Sequence, residues 1–243
     1  MKSKTIRVPH GTGEIGLHYL EWGSPKAERI AVCAHGISRN AYDFRWLAEG
    51  LAEAGWRVLS FDMVGRGKSE WLEDPQGYTI PNYVQHMVYA MSKLGLEDVD
   101  WIGTSMGGLI GMGLAVSNAP LRRLVLNDVG PFISSNALAG IAAAVASPPP
   151  LVSVAEVSGY LKGRFTPYGP VTNEQWEEIA ANSVRKERNG GLYLHYDPGI
   201  SAPLDGITPV DVDLWGLYDR IQVPVMALRG AVSRVLDQGT AEE

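Results

Sequence analysis

Five short apolar runs set the tightest limit on how this chain can fold. They read "RIAVCAH" (29–35), "RVLSFD" (57–62), "VDWIGTS" (99–105), "RRLVLND" (122–128) and "VPVMALRG" (223–230). Each is too short for a helix and apolar at consecutive positions, so a strand made from it needs cover on both faces. Helical patterns lie between the first four: "AYDFRWLAEGLAEAG" (41–55), "NYVQHMVYAMSKLGL" (82–96) and "MGGLIGMGLAVSNA" (106–119). Strands alternating with helices predict βαβ units and a covered, mostly parallel sheet. The fifth run reads as one more buried strand.

Two segments depart from the alternation. The first 22 residues read as a hairpin, "KTIRV", a glycine-rich turn and "GLHYLEW". The turn "GTGEIG" (11–16) matches the dinucleotide pattern G-x-G-x-x-G, but a strand follows it where a phosphate-binding helix would be needed, so it reads as a turn. Between about 131 and 206 the strand–helix rhythm stops. "SPPP" (147–150) and scattered prolines surround one clear helix, "TNEQWEEIAANSVRK", in which Thr172 and Gln175 have capping-box spacing. Residues 131–206 therefore read as a helical cap inserted into a core made of residues 1–130 and 207–243.

Bulk properties exclude several classes. The 243 residues carry a formal net charge of -6 with no basic cluster, which argues against a nucleic-acid partner. No stretch approaches the roughly 18–20 apolar residues of a membrane helix, and the two early lysines precede no signal-like apolar run. The single cysteine, Cys33, has apolar neighbours and no partner for a disulfide. A cytoplasmic protein is expected.

The stretch with the most chemical content is Gly103-Thr104-Ser105-Met106-Gly107. It fits G-x-S-x-G between a predicted strand and a predicted helix, the setting in which a serine stands exposed on a tight turn. The helix start beside it offers free N–H groups to developing negative charge. With "AHGISRN" (34–40), "FDMVGRGKS" (61–69), "WIGTSMGGLIGM" and "LVLNDVGP" (124–131) in this order, the chain resembles the α/β-hydrolase family of esterase-like enzymes. The resemblance covers about residues 15–240. It implies an eight-stranded, mostly parallel sheet, a helical cap, and a serine–acid–histidine triad in that chain order.

Carried over by position, Ser105 is the nucleophile and the N–H groups of Met106 and Ile37 are the oxyanion donors. His35 orders the oxyanion loop. Asp62, Gly65 and Gly67 shape a loop, and Trp46 and Trp71 either border the pocket or pack. The acid is expected in a segment resembling S-D-x-L after "VPVMALRG", but "AVSRVLD" (231–237) has Arg234 at that place, and a guanidinium cannot accept from histidine. Asp128, at the end of the preceding strand, is the preferred acid and Asp237 the second candidate. The family's histidine is expected later still, yet the five histidines are His10, His18, His35, His86 and His195. His195 is the off-pattern candidate for the base. The ending "QGTAEE", with Thr240 at N-cap spacing from Glu243, reads as a helix starting, and the expectation is a longer hydrolase shortened by roughly 30–50 residues.

The expected chemistry is hydrolysis of a small carboxylic ester or related acyl substrate through an acyl-enzyme on Ser105, impaired in this form by the lack of a triad histidine. Acyltransferases, C–C hydrolases and haloperoxidases share these motifs, and a ligand-binding protein that kept the pocket without the triad is the non-catalytic alternative. No metal-ligand cluster is visible in the sequence, and acyl transfer needs no cofactor.

Overall fold

The N-terminal hairpin pairs β1 (Lys2–His10) with β2 (Gly13–Trp22) in antiparallel register, Val8 opposite Ile15. Gly11 turns the chain with a φ of 55°, so "GTGEIG" is a hairpin turn running straight into a strand. The computed structural model describes residues 1–146, 151, 153–165, 170–186, 191–204, 206 and 208–243. "SPPP" lies outside them.

The four interior apolar runs become β3 (Ile30–Ala34), β4 (Arg57–Phe61), β5 (Val99–Thr104) and β6 (Leu121–Asn127). Short strands β7 (Phe132–Ile133) and β10 (Val212–Asp213) pair with each other, as do β8 (Val184–Lys186) and β9 (Leu192–Leu194). The last run is β11 (Val225–Leu228). The main sheet has the order β1-β2-β4-β3-β5-β6-β11, antiparallel at β1–β2 and β2–β4 and parallel from β4 onward.

Alternation along β3 divides the core. Ala31 and Cys33 pack toward Ala48 of helix α1 (Arg45–Glu53), whereas Val32 and Ala34 join the cluster containing α2 (Ile80–Lys93) and α3 (Met106–Ala115). Helices thus cover both faces, and the fully apolar strand pattern follows from that. Helix α2 starts at a Thr79 cap with Pro81 in its first turn and buries Tyr83, His86, Met87, Ala90 and Met91. That spacing is one helical stripe, and each large apolar side chain on it contributes roughly 1.5–3 kcal/mol on burial. Cys33 is buried, which pushes its thiol pKa up and leaves it unreactive.

Between β6 and β11 lie α4 (Ser135–Ala146), α5 (Val154–Phe165), α6 (Asn173–Asn182) and the short α7 (Trp215–Tyr218). The capping box of Thr172 and Gln175 forms at the start of α6. No described helix is long and apolar enough to cross a membrane.

The described sheet has seven of the eight strands that the resemblance implies. Two expectations are corrected. β11 is not a buried strand: among the described residues it pairs with β6 alone and forms the sheet edge, leaving Met226 58% and Leu228 47% exposed. The C-terminal helix α8 (Gln238–Glu242) begins before Thr240, because Asp237 caps it by accepting from the Thr240 N–H at 3.0 Å.

Candidate active site

Ser105 sits between β5 and α3 with φ 51° and ψ −114°, a backbone conformation that a residue bearing a side chain rarely adopts. Two absent side chains permit it. A Cβ on Gly103 would lie 2.2 Å from the Gly107 carbonyl oxygen, and one on Gly107 would lie 2.0 Å from that of Ala34. The turn is anchored by the Ser105 N–H donating to Asn127 at 2.9 Å. The loop after β3 comes alongside, since a Cβ on Gly36 would be 3.8 Å from that of Ser105. Among the described residues, the N–H groups of Ile37 and Met106 have no protein acceptor. Ser105, its neighbour Met106 and the Gly36–Ile37 stretch therefore lie side by side.

His35 is fully buried behind this loop. Its Nε2 accepts from the Met63 N–H at 3.0 Å, which makes Nδ1 the protonated nitrogen, donating to the Gly36 carbonyl at 2.7 Å. Burial lowers its pKa from 6.5 to about 4, so the ring is neutral and holds the loop through that tautomer. Folding then excludes a proton that the unfolded chain takes up. Stability is complete above pH 6.5 and falls as the pH drops toward 4, by up to about 1.4 kcal/mol per pH unit for this group. Urea unfolding between pH 7 and 4.5 checks this, and a flat profile would contradict it. His86, buried beside His10 with its Nε2 3.1 Å from His10 Nδ1, is also lowered to about 4 and steepens the same trend.

Arg66 was not singled out by its motif, yet it is the most connected side chain near Ser105. It is 1% exposed. Its Nε donates to the Ile37 carbonyl at 2.8 Å, and its Nη1 to the Val64 carbonyl at 2.8 Å and Tyr83 Oη at 2.5 Å. Its Nη2 stands 3.6 Å from Met106 Sδ, and the rings of Tyr78 and Tyr83 flank the guanidinium. One cation thus touches both residues whose amides flank Ser105. A lone arginine between two glycines in "GRG" was the available sequence signal.

The remaining candidates divide. Asp128 follows β6, next to Asn127, with a φ of 58°; its N–H donates to Leu228 at 2.8 Å and its Oδ1 accepts from Gly230 N–H at 3.0 Å. Asp237 is occupied with Thr240, whose hydroxyl lies 2.7 Å from its Oδ2, and Arg234 is exposed. Asp62 shapes the glycine-rich loop, accepting from Ala41 and Lys68 amides and from His18. Trp71 lies under the Arg185 guanidinium at 4.0 Å.

A parallel sheet with helices on both faces and a glycine-flanked serine on the turn after its central strand is the architecture of an α/β hydrolase. A family model described as the alpha/beta hydrolase fold matches residues 32–146. A Cupriavidus necator protein named 3-hydroxybutyrate-oligomer hydrolase is 42% identical over 240 residues, spanning 94% of this chain and 82% of that one. A solved protein from Rickettsia typhi superposes with a TM-score of 0.93 at 29% identity, over all of this chain and 86% of its own. An alpha/beta hydrolase from Novosphingobium aromaticivorans does so at 0.85 and 32% identity, over 99% and 85%. The chain belongs to the α/β hydrolase fold family, and it is a hydrolase of that fold.

Proposed function

We propose that the protein is a serine hydrolase of small carboxylic esters, and that its substrates are short oligoesters of a hydroxy acid. The observation that carries the mechanism is the strained turn at Ser105 with two free amides beside it. The substrate class rests on the Cupriavidus necator relative. Ser105 Oγ attacks the ester carbonyl, the Ile37 and Met106 amides hold the oxyanion, and the alcohol departs with the proton. Water then releases the acyl group and restores the serine. Asp128 serves as the acid, residues 131–206 roof the pocket as a helical cap, and the lone reduced cysteine fits a cytoplasmic location.

The step that needs a base limits the rate. His10 and His86 face each other, His18 is held between Ser3 and Asp62, and His35 is occupied on both nitrogens. His195 shares a crevice with His18 and Asp62. A chain of these 243 residues is therefore impaired, retaining about 10³–10⁴ over water from the oxyanion donors and binding alone.

The test combines a fluorophosphonate probe with peptide mapping and turnover on a 3-hydroxybutyrate dimer. Slow phosphonylation of Ser105 and slow dimer cleavage, both lost in Ser105→Ala, are expected. Absence of any adduct at Ser105 would overturn the nucleophile. Turnover within the ordinary enzymatic range of about 1–10³ per second would overturn the impairment.

A further inference from the structure

A second serine is joined to a histidine and an aspartate, away from the Ser105 turn. In the β1–β2 register Ser3 faces Leu20 and Thr5 faces His18, so Ser3 and His18 share one face of the hairpin a step apart. Ser3 Oγ is 2.8 Å from His18 Nε2, and His18 Nδ1 is 2.7 Å from Asp62 Oδ2. His18 and Asp62 are each 3% exposed, while Ser3 is open to solvent. The Asp62 carboxyl group also receives the Ala41 N–H at 2.7 Å and the Lys68 N–H at 2.9 Å. Burial opposes its charge, but the bonds from His18 and these amides prevail and hold its pKa below the ordinary value.

The tautomer follows from this arrangement. An ionised carboxylate only accepts, so His18 Nδ1 carries the hydrogen, and in the neutral imidazole Nε2 presents a lone pair to the Ser3 hydroxyl. The Ser3 proton thus has a base in place, and that base has an acid orienting it. Beside Ser3 is a crevice of about 90 Å³ lined by Leu20, Asn40, Tyr42, Lys68 and His195 as well. That volume equals about three waters and admits an acetyl-sized group. Its lining includes neither Ser105, Ile37 nor Met106.

We propose that Ser3 is a second nucleophile that accepts short acyl groups from activated esters. Ser3 Oγ bonds to the carbonyl carbon as its proton passes to His18 Nε2. Lys68 contributes positive charge toward the oxyanion. The carbon–oxygen bond to the leaving group then breaks, and the departing alkoxide takes the proton from His18. Water reverses the sequence, freeing the acid and Ser3.

The experiment uses the full-length protein carrying Ser105→Ala and treats it with methanesulfonyl fluoride, whose transferred group is acetyl-sized, before peptide mapping. The expected result is an adduct on Ser3 in the folded chain, none in the urea-unfolded chain, and none in Ser3→Ala. His18→Gln, checked for folding by circular dichroism, should slow the adduct by about a hundredfold, the usual scale of general-base assistance. If that variant does not fold, the folded-against-unfolded comparison decides alone. No Ser3 adduct in the folded chain, or one as fast after unfolding or in folded His18→Gln, overturns the proposal. Ser105 lies on a different peptide, so its labelling in a separate Ser3→Ala variant that keeps Ser105 reports on the oligoester reading by itself.

Discussion

Gly107→Ala should cost about 3–5 kcal/mol and shift the urea midpoint accordingly. The added Cβ would lie 2.0 Å from the Ala34 carbonyl oxygen and 2.5 Å from its carbon. Neither atom can give way, because Ala34 ends β3 and pairs with Phe61 on one side and Gly103 on the other. Helix α3 must move instead, and its first amide belongs to Met106. Overpacking of this kind typically costs 1–3 kcal/mol and more where the neighbour is backbone. Gly140→Ala is the control: its Cβ meets nothing within 4 Å in α4, and replacing a helical glycine there should stabilise by up to about 1 kcal/mol. Similar midpoints for the two variants would contradict the close-approach account.

Arg66→Met should lower stability by about 3–4 kcal/mol and slow phosphonylation of Ser105 by about a hundredfold. The stability loss follows from leaving the Ile37 and Val64 carbonyls and Tyr83 Oη without a donor in a buried site, at about 1–3 kcal/mol for each unsatisfied group, less what relaxation recovers. On the proposed mechanism the rate loss follows because the Ile37 carbonyl belongs to the loop carrying the second free amide, and a lost oxyanion donor costs about 10²–10³. Arg66→Lys should behave much as Arg66→Met does, since one ammonium cannot reproduce the planar fork that reaches three acceptors between two tyrosine rings. Full rescue by lysine would show that the charge matters and the fork does not.

What could be read in advance depended on how local the cause was. The strands came from consecutive apolar residues, and the turn at Ser105 from two glycines four positions apart. The α6 cap came from Thr172 and Gln175. These signals are complete within a few residues. Arg66 was invisible because its importance lies in partners from 37, 64, 83 and 106, which only the folded loops bring together. The exposed face of β11 was misread for a related reason: "VPVMALRG" states that a strand is apolar, but not whether anything packs against it. Asp237 shows the limit at short range. It competes with Thr240 as a cap only three residues away, and an aspartate that accepts from two Thr240 atoms outranks a threonine lacking that pairing.

Two backbone bonds tie the segment around His195 to the loop that carries Arg66, and a side-chain bond ties it to Tyr78, whose ring lies against the Arg66 guanidinium. The Gly67 N–H donates to His195 at 2.8 Å, the Asp197 N–H to Gly65 at 2.7 Å, and Tyr78 Oη to Asp197 Oδ2 at 2.5 Å. Coupling through shared bonds is reciprocal. A molecule that binds only while residues 195–197 are seated raises the free energy of loosening the arginine loop by the same amount that an intact loop strengthens its binding. Hydrogen exchange at the Gly65 and Gly67 amides is therefore a binding isotherm in another form, readable without any chemical turnover.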